Sequence, residues 1–173
     1  THVATMSHGD FHNNEKSVCI DKDTSISIKL FANNGEIVTL KEDLTLLSKE
    51  IIDATVMSKK ALLNFLKYEI NDAKESGILL SLHMKATMMK VSDPIIFGHV
   101  VDTYFSDLIQ KYKDIFNDLG VDVRNGFGDI IDKISTLSDD KRSEIEEDIN
   151  NVFNNNANLA MVDSDNGITN LHV

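Results

Sequence analysis

The residue best placed for catalysis is Lys85, in the segment from Leu82 to Pro94 (LHMKATMMKVSDP). This segment joins a predicted buried strand to the clearest helix start of the chain, and α/β proteins commonly build sites at such junctions. A lysine leaving a buried strand is partly desolvated, and a nearby cation such as Lys90 adds to the effect. Both lower its pKa and make it a usable proton acceptor. The competing interpretation is that Lys85 simply extends into water, as most lysines at the ends of elements do.

A second group, His8, Asp10 and His12, has the residue types of a metal site. On an extended segment these alternate side chains would point the same way, and two imidazoles with a carboxylate can bind Zn²⁺. The residues around them are polar and show no periodicity. Chance spacing in a loop is therefore the better interpretation.

Two further motifs are better explained by backbone conformation than by ligands. Residues 163–167 (DSDNG) resemble a calcium loop, but their glycine comes one position too early, and Asp, Asn and Gly all favour turns. Residues 126–128 (GFG) lack the third glycine of a dinucleotide fingerprint and follow no clear strand. Neither motif predicts a site.

The elements around these residues begin with a predicted β-hairpin. Apolar and polar residues alternate on both sides of Asn33-Asn34-Gly35. A two-residue loop would set Leu30 opposite a threonine. A three-residue loop with Gly35 in the left-handed conformation sets Leu30 opposite Val38 and Ile28 opposite Leu40. The second register keeps one apolar face and is preferred. Residues 50–57 (EIIDATVM) fit a strand or a helix.

The next elements frame Lys85. Ser58 is a predicted N-cap for a helix through Glu75, whose apolar face comprises Leu62, Leu66, Ile70 and Ala73 and which Gly77 ends. Residues 78–84 are predicted to form a buried strand, because they are almost continuously apolar.

Asp93-Pro94 predicts the start of a long helix that ends at Gly120. Asp caps free amides, and the fixed φ of proline suits the first helical position. About 25 residues at 1.5 Å each would span roughly 38 Å. The apolar stripe of this helix comprises Phe97, Val101, Tyr104, Leu108, Ile115 and Leu119.

Two shorter helices and a strand complete the prediction. The helices cover about 129–137 and 140–154, with Ser143 and Glu146 at capping-box spacing, and residues 159–162 form a short apolar strand. The expected fold is α/β, a mixed sheet with a β-hairpin, flanked by helices that include the long one after Pro94. A single domain over residues 1–173 is expected from the length.

Composition restricts the function classes. The net charge of −11 argues against nucleic acid as a partner, because that affinity comes mainly from Lys and Arg. The lone Cys19 cannot form an intrachain disulfide, no apolar run reaches the length of a membrane span, and no signal peptide is visible. A cytoplasmic protein that does not bind membranes is expected. Thr1 at the start and an extended pattern up to Val173 suggest a piece of a longer chain.

The run from Ser81 to His99 (SLHMKATMMKVSDPIIFGH) resembles the characteristic segment of monomeric NADP-dependent isocitrate dehydrogenases. Other segments resemble that family in the same order: SHGDF, NEKS, EIIDATVMSKKAL and LAMVDSDNGITNLHV. The resemblance covers the whole chain without a large gap, and its motifs are long. It implies that the chain is an internal part of the large domain, about a quarter of such an enzyme.

The resemblance also implies an activity, the oxidative decarboxylation of isocitrate to 2-oxoglutarate with NADP and Mg²⁺ or Mn²⁺. The lysine that assists proton transfer at the C2 hydroxyl corresponds to Lys85, and Thr87 corresponds more weakly to a polar residue near the nicotinamide. The metal-binding aspartates are expected beyond Val173, so no metal ligand is expected in this chain, and Asp163 and Asp165 are not their counterparts.

The remaining groups of the active site are also expected elsewhere. Those that hold the tricarboxylate precede Thr1, and the tyrosine acid and the contacts to the NADP 2′-phosphate lie downstream. Tyr68, Tyr104 and Tyr112 fit helix faces and do not replace that acid. The chain alone should therefore be inactive and should self-associate through uncovered apolar surface. The alternative hypothesis is a non-catalytic α/β interaction module derived from the same family.

Overall fold

The structure, a computed structural model, describes residues 3–82 and 89–160. The chain divides into two compact units, one of residues Thr5–Ala61 and one of Leu62–Val173 together with Thr1–Ala4. The predicted α/β class is confirmed: the described residues form two small antiparallel sheets and seven α-helices. A single domain over residues 1–173 stays a prediction.

The first unit contains one short helix and both sheets. Helix α1 covers Phe11–Asn14, strand β1 (Lys16–Cys19) pairs with β4 (Ile51–Ala54), and β2 (Thr24–Phe31) pairs with β3 (Ile37–Leu46). The ambiguous segment at 50–57 is therefore a strand in its first half. Two-stranded sheets bury little surface on their own, and most side chains of this unit are exposed.

The β2–β3 hairpin has the predicted three-residue loop. The amide of Ala32 donates to the carbonyl of Glu36 at 2.9 Å, and Gly35 has a φ of +85°. Leu30 lies opposite Val38, as expected. Glycine is required here because its missing Cβ removes the penalty of the left-handed conformation.

One predicted pair of the hairpin is wrong. Ile28 lies opposite Lys41 rather than Leu40, because a β-bulge places an extra residue in β3. A second shift in register lies between Ile26 and Ile28, and the facing stretch of β3 contains Asp43, which has a φ of +51°. Bulges insert residues without breaking the alternation near the loop, so the sequence pattern alone did not indicate them.

Helix α2 (Lys59–Glu75) begins and ends as predicted. The Ser58 hydroxyl accepts a hydrogen bond from the amide of Ala61 at 3.3 Å. At the other end Gly77 has a φ of +63°, and the amide of Ile78 donates to the carbonyl of Ala73 at 3.0 Å. The four residues of the predicted apolar face are buried: Leu62, Leu66, Ile70 and Ala73.

The predicted buried strand at 78–84 is wrong over its described part. Leu80 forms a single parallel bridge with Leu159, while Ile78, Leu79 and Leu82 are 37%, 60% and 38% exposed. An apolar run is compatible with a buried strand, but a strand is buried only where neighbouring strands or helices cover it. Here the pairing is limited to one bridge. The rest of the run, 83–84, lies outside the described residues.

The helical run after Pro94 is divided into α3 (Ser92–Tyr104), α4 (Ser106–Lys111) and α5 (Lys113–Leu119). The breaks fall at Phe105 and Tyr112, which are 2% and 3% exposed, so each break carries a large aromatic ring into the core. Hydrogen bonds to the residue four positions earlier continue through both breaks. The chain direction therefore persists, but the helix is not continuous.

The start and end of this run differ in how well they were predicted. Helix α3 begins after Val91, so Asp93 lies inside the first turn and is not the N-cap. Pro94 is the third helical residue, where an amide has no partner within the helix. Gly120 ends α5 with a φ of +68°, as expected.

The last elements pack onto α3–α5. They are a 3₁₀ turn (Val123–Asn125), α6 (Phe127–Ile134) and α7 (Asp139–Asn155). Both predicted helices are confirmed, but the capping box is wrong, because Ser138 precedes α7 and Ser143 lies within it. Of the strand predicted at 159–162, the described part contributes only the Leu159 bridge.

Aromatic rings make up much of the core of the second unit. Phe105 stacks on Phe127 with ring centroids 4.5 Å apart, and Phe153 meets both rings edge-on at 5.5 and 5.7 Å. Around them lie the buried apolar residues Ile70, Val101, Leu108, Phe116, Ile130, Ile134, Ile145 and Ile149. Phe105 and Phe116 are buried residues of the helical run that lie outside its predicted stripe, which assumed a single straight helix.

The helix end at Gly120 supplies a test of this packing. A Cβ at Gly120 would meet no atom within 4 Å, so Gly120→Ala should destabilise the chain only through the left-handed backbone, by about 1–2 kcal/mol. Gly128→Ala is the matched control, because Gly128 lies within α6 and is equally open, and it should stabilise by roughly 0.5–1 kcal/mol. Urea unfolding of the two variants measures the difference, and equal effects would contradict the assigned backbone conformations.

Candidate functional site

The predicted site residues lie on a connection between Leu80 and α3. Lys85 and Thr87 are outside the described residues, so their roles stay predictions. The structure does describe both ends of the segment, 81–82 and 89–91, which is called the Lys85 connection below. What holds those ends determines where any group on the connection can act.

The first end is held by hydrogen bonds on both sides of Leu80. Its amide donates to the carbonyl of Asn158 at 2.8 Å, and its carbonyl accepts from the amide of Ala160 at 2.9 Å. This parallel pairing places the start of the Lys85 connection beside the chain that leads to Met161. Leu80 and Leu159, which lie at the starts of two segments that carry the family resemblance, are therefore neighbours. Asp163 and Asp165 lie outside the described residues.

The second end is held where α3 packs against the 3₁₀ turn. Gly98 is buried, and a Cβ on it would lie 3.2–3.3 Å from the Cγ, Cα and backbone N of Arg124. Only glycine allows this close approach without a shift. Gly126, with a φ of +92°, comes similarly close to the Phe97 ring, whose Cε1 would lie 3.2 Å from an added Cβ. The GFG motif thus contributes to packing.

Arg124 is itself fixed by a carboxylate. Its Nε donates to both oxygens of Asp122 at 2.8 and 3.0 Å, and its Nη2 donates at 2.6 Å. Hydrogen bonds from the Arg124 side chain, and then from its backbone amide, lower the pKa of Asp122 to about 2. The amide of Asp122 in turn donates to Asp129 at 2.7 Å. The turn behind α3 is therefore held by charge-assisted bonds.

Tyr104 is the last residue of α3, the helix that follows the Lys85 connection, and it bonds to the residues beside Leu80, where the connection begins. Its hydroxyl donates to the carbonyl of Ala157 at 2.6 Å, and its carbonyl accepts from the Nδ2 of Asn156 at 2.9 Å. The side chain is 3% exposed, and burial raises the pKa of the phenol, so the hydroxyl keeps its proton and remains a donor. Asn158, next in the chain, is the residue bonded to Leu80.

Tyr112 lies in a different polar cluster. Its hydroxyl is 2.5 Å from Asp148 and 3.0 Å from Glu144, and Lys111 and Lys141 pair with these carboxylates at 2.5 and 2.7 Å. Burial, and then the bond to Asp148, raises the pKa of Tyr112 to about 12. The cluster ties the helical run to α7, and its groups bond to one another.

A shallow cleft borders the Tyr112 cluster. It has a volume of about 350 Å³ and lies between the end of α3, α4 and α7. Thr103, Ser106 and Asn151 are among the residues that line it. Two of its amides bond to the protein itself, the Asn155 Nδ2 to the Asn151 carbonyl and the Asn156 Nδ2 to Tyr104. Because these polar groups bond within the protein, the cleft is a gap between packed helices and does not indicate a ligand site.

The metal hypothesis for His8, Asp10 and His12 is not supported. The segment is not extended: Asp10 precedes α1 as its N-cap, and its Oδ1 accepts from the backbone amide and the Nδ2 of Asn13 at 2.8 and 2.7 Å. Over residues 3–82 and 89–160, no three His, Cys, Asp or Glu side chains converge on a point that could hold a metal ion. In the same ranges no helix has the length and apolarity needed to cross a membrane.

The sequence interpretation missed Gly98, Arg124 and the Tyr104 hydroxyl. A glycine in the interior of an apolar helical stripe is a signal, because glycine destabilises a helix unless something must approach closely. The partners of Gly98 and Tyr104 lie 26 and 53 positions away in the sequence, and no local pattern identifies them.

Comparison with known proteins identifies the relatives. A model of the family described as monomeric isocitrate dehydrogenase matches residues 1–173. The chain is 54% identical over 173 residues to isocitrate dehydrogenase (NADP) 2 of Colwellia maris, and 49% identical over 173 residues to isocitrate dehydrogenase (NADP) of Azotobacter vinelandii. Both alignments cover 100% of this chain and 23% of the relative. The chain thus spans about a quarter of the length of these relatives.

Proposed function

Because this chain belongs to the monomeric isocitrate dehydrogenase family, we propose that it is a segment of an enzyme that oxidatively decarboxylates isocitrate to 2-oxoglutarate and reduces NADP. The observation that carries this proposal is the family match over all 173 residues. The names of the relatives include both the substrate and the cofactor. Their greater length supports the proposal that this segment supplies only part of the active site.

Lys85 is the group in this segment that moves a proton. It accepts the proton of the C2 hydroxyl as C2 is oxidised, the role that the family resemblance implies for this lysine. The described elements on either side of its segment, Leu80 and α3, are held by hydrogen bonds and close packing, and a fixed frame of this kind is what a reacting group requires. Thr87, two residues further on, is a weaker candidate for contact with the nicotinamide.

Mg²⁺ or Mn²⁺ would supply Lewis-acid polarisation of the substrate's hydroxyl and a carboxylate. The described residues do not fit such an ion, because no set of three suitable ligands converges among them. As the family resemblance implies, we assign the metal ligands to the part of the enzyme beyond Val173 and the groups that hold isocitrate to the part before Thr1. A cytoplasmic location accords with the free, exposed Cys19.

Activity assays of four proteins test this function. The full-length enzyme should form NADPH in the presence of isocitrate, and Lys85→Ala should lower turnover by at least roughly 10²-fold, the lower end for a lost acid or base. Lys67→Ala is the matched control, since it removes an exposed lysine from α2 and should leave turnover unchanged. The 173-residue chain alone should show no activity.

Two results would contradict the proposal. Isocitrate-dependent NADPH formation by the 173 residues alone would show that the segment contains a whole site. Unchanged turnover of the Lys85→Ala enzyme would instead favour the non-catalytic interaction module. Circular dichroism of each variant establishes that a loss of turnover is not a loss of folding.

The isolated chain should also self-associate, because both units expose large apolar side chains. Phe31 and Ile37, which lie opposite each other in the hairpin, are 70% and 57% exposed, and Leu79 is 60% exposed. Clusters of this kind mark surfaces that are covered in a larger assembly. Light scattering should show species larger than a monomer, and the double variant Phe31→Glu/Ile37→Lys, with opposite charges paired across the strands, should reduce them. A clean monomer of the unsubstituted chain would contradict this expectation.

A further inference from the structure

Tyr104 makes two hydrogen bonds that its place in the core does not require. The ring packs against Phe105, with centroids 4.9 Å apart, and Phe153 lies near it at 6.2 Å. These contacts involve the ring alone. The hydroxyl adds a bond of 2.6 Å to the Ala157 carbonyl, in a place where a phenylalanine would fill the same space.

The bonds of Tyr104 act on the chain that holds the start of the Lys85 connection. Three consecutive residues take part. Asn156 and Ala157 bond to Tyr104, and the carbonyl of Asn158 accepts a hydrogen bond from the amide of Leu80. Tyr104 is also the last residue of α3, the helix that follows the connection. One residue therefore links the element after the connection to the pairing before it.

A second contact of α3, at Gly98, leaves little room for the helix to move. Gly98 lies against the backbone of Arg124, which Asp122 holds by three hydrogen bonds. With α3 fixed there, loosening the bond to Ala157 would move residues 156–158, and Leu80 with them. The separation of the two ends of the connection would then change.

We infer that Tyr104 is a positioning residue for Lys85, acting through hydrogen bonds to Ala157 and Asn156 that set the distance between the two ends of the Lys85 connection. The inference rests on the proposed function and extends it to a residue that does not touch substrate. Positioning matters because a misplacement of about 1 Å in a reacting group can lower a rate about 10²-fold.

The test is Tyr104→Phe in the full-length enzyme, alone and combined with Lys85→Ala. The single variant should lower kcat about tenfold or more with KM for isocitrate within about twofold, because the loss falls on the orientation of a reacting group and not on substrate binding. In the Lys85→Ala enzyme, Tyr104→Phe should cause no further loss of kcat. A group that acts only through Lys85 has nothing left to position.

Tyr112→Phe is the matched control. It also removes the hydroxyl of a buried tyrosine, one bonded to Asp148 and Glu144 rather than to residues beside Leu80, and it should leave kcat unchanged. Asn156→Ala removes the other bond to Tyr104 and should show the same dependence on Lys85. It provides the test if Tyr104→Phe yields no folded protein.

The outcomes separate the inference from the function on which it rests. If the unsubstituted enzyme does not oxidise isocitrate, or if Lys85→Ala keeps full turnover, the proposed function fails and the inference with it. If both hold, the inference alone is overturned by an unchanged kcat in Tyr104→Phe. An equal loss with and without Lys85, or an equal loss in Tyr112→Phe, would likewise overturn it.

Discussion

The hydrogen bond between the Tyr104 hydroxyl and the Ala157 carbonyl connects the helical core of the second unit to the residues that follow α7. It is 2.6 Å long and buried, so water cannot replace either partner. Residues 156–160 follow α7, and hydrogen bonds to Tyr104 and Leu80 attach them to the rest of the unit. The residue after Ala157, Asn158, accepts the amide of Leu80, so the bond from Tyr104 lies directly beside the pairing that precedes the Lys85 connection.

The parts of the fold that were predicted correctly depend on residues close in sequence. Ser58 caps α2, Gly35 closes a hairpin loop and Gly120 ends α5, and each of these is a backbone requirement that one residue type meets. The errors have distant causes. The bulge opposite Ile28 depends on how two strands twist together. Leu79 is exposed because no strand among the described residues pairs with it.

The helix after Val91 shows how packing overrides periodicity. A regular stripe predicted one helix, but the core takes up Phe105 and Tyr112, and the chain breaks at both to accommodate their rings. Neither position belongs to the predicted stripe. The net effect on the site is small, since the element that contacts the 3₁₀ turn and carries Tyr104 is α3, which precedes both breaks.

Physical chemistry alone made Lys85 one candidate among several lysines, and the ordered resemblance along the whole chain is the reason for predicting that it is the catalytic one. The remaining groups of the active site could not be found here, because the chain spans about a quarter of its relatives. Gly98 and Tyr104 add supporting residues that neither spacing nor resemblance had indicated.

The central claim is that these 173 residues serve as a working segment of an isocitrate dehydrogenase. The most direct measurement replaces the matching segment of the Azotobacter vinelandii relative, 49% identical, with this chain and follows NADPH formation from isocitrate. We expect an active hybrid that loses its activity when Lys85 is replaced by alanine. A folded, soluble hybrid without activity, or one indifferent to the loss of Lys85, would contradict it.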